Sequence, residues 1–238
     1  MRLSIVIPAF NEGSTIYHIL DKIKAVKLIA GLDKEVVIVD DCSTDYTEES
    51  VLHYQAANTD LPIRYFKNEI NKGKGFSLAV GLKQAIGDFV IVQDADLEYD
   101  PEEYNLLLRP MIHNQADVVY GSRFMGGSPH RILFFWHSIG NRFLTFLSNV
   151  ASNLNLTDME TGYKLFRKEI IAQINLQENR FGFEPEVTAK VAKLKGVRIY
   201  EVGISYYGRT YEEGKKINWK DGLRAIYCII RYNYFSKN

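Results

Sequence analysis

The sequence predicts an α/β fold: a mostly parallel sheet flanked by helices on both faces, with a C-terminal helical appendage. Two observations predict it. Up to Tyr120, short apolar runs alternate with segments of helical period, the repetition that winds a parallel sheet through crossover helices. Acidic clusters also follow directly after two of those runs, at the carboxyl strand ends where such sheets take their ligands.

Taken in order, residues 3–7 read as a strand. Residues 14–29 read as a helix with Ile16, Ile19, Leu20 and Ile23 on one side. Residues 36–39 form the second apolar run, and 44–57 a helix for which Ser43 or Thr44 is the expected cap. A short strand at 63–66, a helix at 75–86 and a strand at 89–92 follow. A helix over 101–113 carries proline in its first turn, and 118–120 is a further strand. The second half changes character. Residues 131–154 are aromatic-rich and helical, with an interruption expected near Gly140. Residues 162–167 and 197–205 read as strands, and 185–194 and 219–234 as helices. With no linker, repeat or low-complexity tract, one domain is expected over 1–238.

Composition narrows the function classes. The 29 basic and 29 acidic residues balance, so no global field points to nucleic acid. Cys42 and Cys228 match no metal or disulfide spacing, which reads as a reducing, cytoplasmic setting. The N-terminus runs straight into a strand, without a signal-peptide pattern. The longest apolar runs, such as 132–136 and 225–230, fall far below the roughly 20 residues a spanning helix needs. The expectation is a protein that is soluble or lies on a membrane without crossing it.

The most informative stretch is Gln93-Asp94-Ala95-Asp96-Leu97-Glu98, just past the 89–92 strand. Two carboxylates one residue apart at a turn suit a hard divalent cation, Mg²⁺ or Mn²⁺, shared with a substrate diphosphate. Asp40-Asp41-Cys42-Ser43-Thr44-Asp45 places acids at a second strand end, where Asp40 can accept hydrogen bonds from a base or ribose edge. Pro8-Ala9-Phe10-Asn11-Glu12 lets backbone approach a ligand, or simply turns the chain into a helix. Asn71-Lys72-Gly73-Lys74-Gly75 lacks the Walker A pattern and reads equally as a phosphate-binding loop or a solvated basic turn. Asp158 and Glu160 precede Gly162 and are candidates for a general base or for holding a substrate hydroxyl. Arg123, Arg131, Arg142, Arg209, Lys215 and Lys216 form a basic set suited to phosphate, and 206–222 reads as a mobile loop over an anionic substrate. The 131–150 and 219–230 segments fit an amphipathic helix in a membrane interface, an ordinary packed helix or an oligomer contact.

Together these motifs resemble the GT-A glycosyltransferases of family 2: Pro8 to Glu12, Asp40 to Asp45, Asn71 to Gly75, Asp94 to Asp96 and Gly121-Ser122-Arg123-Phe124 stand in that family's order. Gly140-Asn141-Arg142, 158–167, Phe181 to Glu186 and 207–216 resemble a narrower group, the dolichol-phosphate mannose synthases and bacterial polyprenyl-phosphate glycosyltransferases. The resemblance implies a metal-dependent inverting hexosyltransferase using a GDP-mannose or UDP-glucose type donor and a polyprenyl-phosphate acceptor. It implies a nucleotide-sugar half at 1–125 and an acceptor half at 126–238. Pro8, Ala9, Glu12, Asp40, Lys74 and Ala95 would bind the donor. Asp94 and Asp96 would hold the metal, and Arg123, Arg209 and Lys215 would meet donor or acceptor phosphate, with Asp158 in the catalytic set. Many relatives carry C-terminal transmembrane helices that this sequence does not show, so a peripheral place on the cytoplasmic membrane face, with homo-oligomerisation open, is the expectation. Transfer to a glycan or protein hydroxyl, and a nucleotidyltransferase, are the alternatives.

Overall fold

A computed structural model describes residues 1–126, 131, 135–209 and 219–236. A seven-stranded sheet organises them, in the order β3-β2-β1-β4-β6-β5-β7. The strands are β1 (Arg2–Ala9), β2 (Asp33–Asp40), β3 (Ile63–Lys67), β4 (Phe89–Val92), β5 (Val118–Ser122), β6 (Lys164–Arg167) and β7 (Ile199–Gly203). All neighbouring pairs are parallel except those of β6, which runs antiparallel between β4 and β5. The predicted class is therefore observed.

The chain winds outward from β1 to β2 and β3, then crosses back to place β4 on the other side of β1. The carboxyl ends of β1 and β4 thus flank the switch point, the crevice where open α/β sheets bind ligands. Residue alternation along β1 divides the core. Leu3, Ile5 and Ile7 pack with α1 (Gly13–Ala25), α2 (Thr47–Ala57) and α4 (Tyr104–Ile112). Val6, Val37 and Val90 pack with α3 (Lys74–Gln84) and, further along, with α7 (Phe183–Lys193). Strands buried on both faces read as continuous apolar runs, which is why they were visible in the sequence.

Several boundaries move for local reasons. The first helix ends at Ala25, not at 29, because Lys34 Nζ donates to the carbonyls of Ile23, Lys24 and Val26 at 2.6, 2.7 and 2.6 Å and closes its last turn. The second begins at Thr47, not 44, and neither Ser43 nor Thr44 caps it. The Asp45 carboxylate instead accepts from Thr47 N and Gly13 N, both at 3.0 Å. α5 (Phe135–Ser152) runs through Gly140 without a break, since nothing crowds that position and helical hydrogen bonding continues. A four-residue helix, α6 (Lys168–Ile171), follows β6, and α8 (Trp219–Ile230) continues into a π-turn over Arg231–Phe235.

α3 approaches the sheet closely at Gly81: a Cβ there would lie 2.4 Å from Val6 Cγ1 and 3.3 Å from Val39 Cγ2. Mid-helix glycine to alanine ordinarily stabilises by about 1 kcal/mol. Gly81→Ala is expected to destabilise instead, by about 1–3 kcal/mol, because it overpacks a closed core. A denaturation midpoint unchanged or raised by this substitution would contradict the close approach.

Candidate active site

The crevice is built from four chain segments that strand register brings side by side. Ala9 and Asp40 are register partners at the ends of β1 and β2, and the turn after β4 lies across β1 from them. Asp40 is fully buried. One of its oxygens accepts from Ser43 N at 2.8 Å and from Ser43 Oγ, and the other accepts from Tyr65 Oη at 2.6 Å. It fixes the loop after β2. Asp41 accepts from Lys72 N at 2.9 Å, Gly73 N at 2.6 Å and Asn68 Nδ2 at 2.8 Å. A protein carboxylate therefore takes the amides that a phosphate loop would offer. The glycines answer to packing: a Cβ on Gly75 would stand 2.2 Å from the Glu178 carbonyl oxygen, and Gly73 has φ +100°.

Lys74, in the first turn of α3, reaches Asp94 at 2.8 Å and Glu184 at 3.4 Å. Burial works against its charge, but those two acids outweigh burial and raise its pKa. Asp96 meets Arg209 at 2.6 Å. Burial, then Asp94 and Glu98, push the Asp96 carboxyl up to about 7, against the pull of Arg209. Glu98 straps the C-terminal segment to this turn. It accepts from Tyr206 Oη at 2.7 Å and Arg209 N at 2.8 Å, while its carbonyl accepts from Tyr207 N at 2.9 Å. The described part of the predicted loop is thus anchored on the acids. Glu12 accepts from Thr15 Oγ1 at 2.8 Å and adds its charge to the field on Arg209.

Beyond β5, Arg123 forms a two-pronged pair with Asp158, Nε to Oδ2 at 2.6 Å and Nη2 to Oδ1 at 2.8 Å. Arg123 N and Asn141 Nδ2 donate to the same carboxylate. Burial alone would raise the Asp158 pKa, but Arg123 and these hydrogen bonds overcome it and lower it. Between Asp158 and Asp94 lie Glu160 and Lys164. Burial, then Glu184, push Glu160 up to about 8, and its Oε1 finds no hydrogen-bond partner among the described residues. The buried Lys164 ammonium, donating to the carbonyls of Met159 and Thr161, is lowered to about 8, chiefly by burial. Gly162 has no room for a side chain because Asp94 Oδ2 and the Tyr99 ring would lie 2.6 and 2.9 Å from its Cβ.

The structure therefore forms three ion pairs, Lys74–Asp94, Arg209–Asp96 and Arg123–Asp158, with Pro8 half-buried and Ala9, Asp40 and Ala95 buried at or just past the ends of β1, β2 and β4. Lys215 and Lys216 lie outside the described residues. Sequence reasoning placed Glu98, Asn141, Lys164 and Glu184 within its motifs but gave none of them a role. Glu98 had a signal, as the third acid at two-residue spacing in one turn. Lys164 and Glu184 stood in the 158–167 and Phe181 to Glu186 motifs, but a lysine in a strand and an acid at a helix start have ordinary explanations. Hard carboxylate oxygens crowded together against their own charge suit a divalent cation. Among the described residues no cluster of three or more candidate ligands is assembled, so the remaining ligands would come from substrate or water.

The Glycosyl transferase family 2 model matches residues 4–174, and the chain belongs to that family. It is 28% identical over 235 residues to a dolichol-phosphate mannosyltransferase of Pyrococcus furiosus, covering 98% of this chain and 64% of that protein. It is 31% identical over 218 residues to the dolichyl-phosphate beta-glucosyltransferase ALG5A of Trichomonas vaginalis, covering 86% of this chain and 65% of that one. The chain thus spans a little under two thirds of these two relatives. In fold it matches the glucosyl-3-phosphoglycerate synthase of Mycobacterium tuberculosis, solved with Mn²⁺, uridine diphosphate and glucosyl-3-phosphoglycerate. The TM-score is 0.74 at 19% identity, over 100% of this chain and 81% of that one. The architecture is the GT-A fold.

Glu160 gives a pH signature. Its folded pKa, about 8, lies above the ordinary unfolded value near 4.3, so the unfolded state loses its proton first and stability falls as pH rises from about 4.3 to 8. Glu160→Gln imitates the protonated acid. It is expected to match the parent near pH 5 and to melt at a higher temperature at pH 8–9. A melting point lower than the parent's across the whole range would show that the carboxylate form is the native one.

Proposed function

We propose that this chain transfers a hexose, with inversion, from a nucleotide-diphosphate sugar of the GDP-mannose or UDP-glucose type to a polyprenyl or dolichyl phosphate. The observation that carries this reading is the commitment of Asp158 to Arg123. A buried carboxylate with both oxygens engaged and a lowered pKa is a poor general base. A phosphate acceptor needs no base, because a phosphate monoester with a second pKa near 6 is already anionic at neutral pH. The names of the two dolichol-pathway relatives support the same acceptor class.

On this reading an acceptor phosphate oxygen attacks the anomeric carbon as the bond from that carbon to the diphosphate oxygen breaks, and the nucleoside diphosphate leaves with the electron pair. Asp94 and Asp96 would hold Mg²⁺ or Mn²⁺, whose positive charge would offset the negative charge gathering on the leaving group. Arg209 and Lys74, which pair with these acids, would meet diphosphate oxygens, and Arg123, which pairs with Asp158, would meet the acceptor phosphate. The wall formed by Pro8, Ala9, Glu12 and Asp40 would take the nucleoside.

One observation favours the hydroxyl-acceptor alternative: Glu160 has a raised pKa and an unpartnered oxygen, the properties of a base poised near neutrality. On that alternative Glu160, not Asp158, would take the proton.

Two measurements test the reading. Labelled sugar from a panel of GDP- and UDP-sugars, offered with short polyprenyl phosphate and Mn²⁺ or Mg²⁺, is expected to move into the organic phase. It should move only with metal present, and Asp96→Asn should lower transfer at least about 100-fold. Label that moves only when a glycan hydroxyl is supplied would overturn it. Asp158→Asn leaves Arg123 buried and uncompensated, so it is expected to lower stability by about 3–5 kcal/mol along with turnover. Lost turnover at unchanged stability would return Asp158 to the role of base.

A further inference from the structure

Gln93 opens the acidic stretch after β4, and it is the one polar residue from Gln93 to Glu98 that is fully buried. Its backbone N–H donates to the Val6 carbonyl at 2.9 Å and carries the pairing with β1 one residue past the strand. Its side-chain oxygen accepts from two tyrosine hydroxyls, Tyr104 Oη at 2.7 Å and Tyr163 Oη at 2.6 Å. Its side-chain nitrogen donates to the Asp94 carbonyl at 3.0 Å. Tyr104 starts α4, Tyr163 immediately precedes β6, and both are fully buried. Burial pushes both phenols well above the ordinary tyrosine range, so each keeps its proton and can donate.

This arrangement fixes the amide in one orientation. Two donating hydroxyls fill the two lone pairs of its oxygen. Turned over, the amide would set that oxygen against the Asp94 carbonyl oxygen and lose all three bonds. The peptide that Gln93 grips belongs to the acid turn, whose shape runs against local preference. Leu97 has φ +63°, a conformation that a bulky side chain rarely adopts, and the Asp96 carboxylate closes the turn by accepting from Glu98 N at 3.2 Å. The far side of the turn is tied to the same tyrosines. Tyr99 Oη accepts from Gly162 N at 2.8 Å, and the Tyr99 ring stacks on Tyr163 with centroids 4.7 Å apart.

We propose that Gln93 is a positioning residue for the acids of this turn: held by Tyr104 and Tyr163, its amide fixes the Asp94 peptide and so directs the Asp94 and Asp96 carboxylates toward a common divalent cation. The inference rests on the reading of those two acids as the metal-holding pair. Two carboxylates gathered against their own repulsion need a rigid backbone, and groups behind the ligands supply such rigidity in metal sites generally. Here the rigidity comes from the core. α4 and the entry to β6 reach the turn through Gln93, which joins the packing of the sheet to the geometry of the acids.

The test is titration of UDP and of GDP into the full chain, with Mn²⁺ and with the metal chelated, alongside melting temperatures. The parent is expected to bind one of the two nucleotides more tightly with Mn²⁺. The variant Gln93→Leu/Tyr104→Phe/Tyr163→Phe removes both sides of the tyrosine bonds together, so most of the stability should be kept. It should lose at least about ten-fold of the affinity that Mn²⁺ adds, while binding the metal-free nucleotide as the parent does. Tyr104→Phe and Tyr163→Phe alone should each lose part of that added affinity. Gly81→Ala, which strains the other core cluster, should keep all of it. The full Mn²⁺ effect in the triple variant, or in both single variants should the triple one not fold, would overturn the proposal and leave the metal reading standing. Equal loss of binding with and without metal would also overturn it, because a merely structural role would weaken both. A parent whose nucleotide binding gains nothing from Mn²⁺ would overturn the metal reading and the proposal with it.

Discussion

The structure depends on one electrostatic constraint. A parallel sheet gathers acids at the carboxyl ends of its strands, and those acids repel one another in a crevice with little water. Each is matched by a cation drawn from a different part of the chain. Lys74 comes from the start of α3, Arg209 from the segment after β7, and Arg123 from the end of β5. Where burial and neighbouring acids outweigh the nearby cations, the acid keeps its proton more readily, as Glu160 does despite Lys164 and Arg123, and Asp96 despite Arg209. The second half of the chain is therefore held to the first by charge pairing at the crevice as well as by its share of the core.

The same constraint explains the position of β6. It runs antiparallel between β4 and β5, and its approach segment carries Asp158, Glu160 and Gly162 across the mouth of the sheet. Gly162 then fits between the Asp94 carboxylate and the Tyr99 ring. A side chain at 162 would push against Asp94 and Tyr99. The short sequence from Asp158 to Lys164 thus spans the distance between two charge centres, and its one glycine sits where the two halves of the site close.

How much of this was legible in the sequence follows from range. Strands buried on both faces, and acids standing directly after them, are local signals, so β1, β2, β4 and the Asp94–Asp96 pair were readable. Helix ends were misplaced wherever a distant side chain set them: Lys34 closes α1 from the next strand, and Asp45 starts α2 while Ser43 is taken by Asp40. The basic loop at 71–75 looked like a phosphate cradle because glycine and lysine composition does not reveal that Asp41 fills its amides. Lys164 and Glu184 were illegible because their importance lies in what they neutralise across the fold.

Charge matching also limits what the crevice can accept. Breaking a buried pair by removing one partner costs about 3–5 kcal/mol, since the other charge is left without compensation. A bare cation taken by Asp94 and Asp96 would leave Lys74 and Arg209 only their longer contacts, to Glu184 and Glu98, both at 3.4 Å. A bare anion taken by Lys74 and Arg209 would strand the two acids. A ligand that presents a divalent cation and anionic oxygens together would satisfy both sides at once. A nucleotide-diphosphate sugar with its metal, two negative charges against two positive, would be such a ligand.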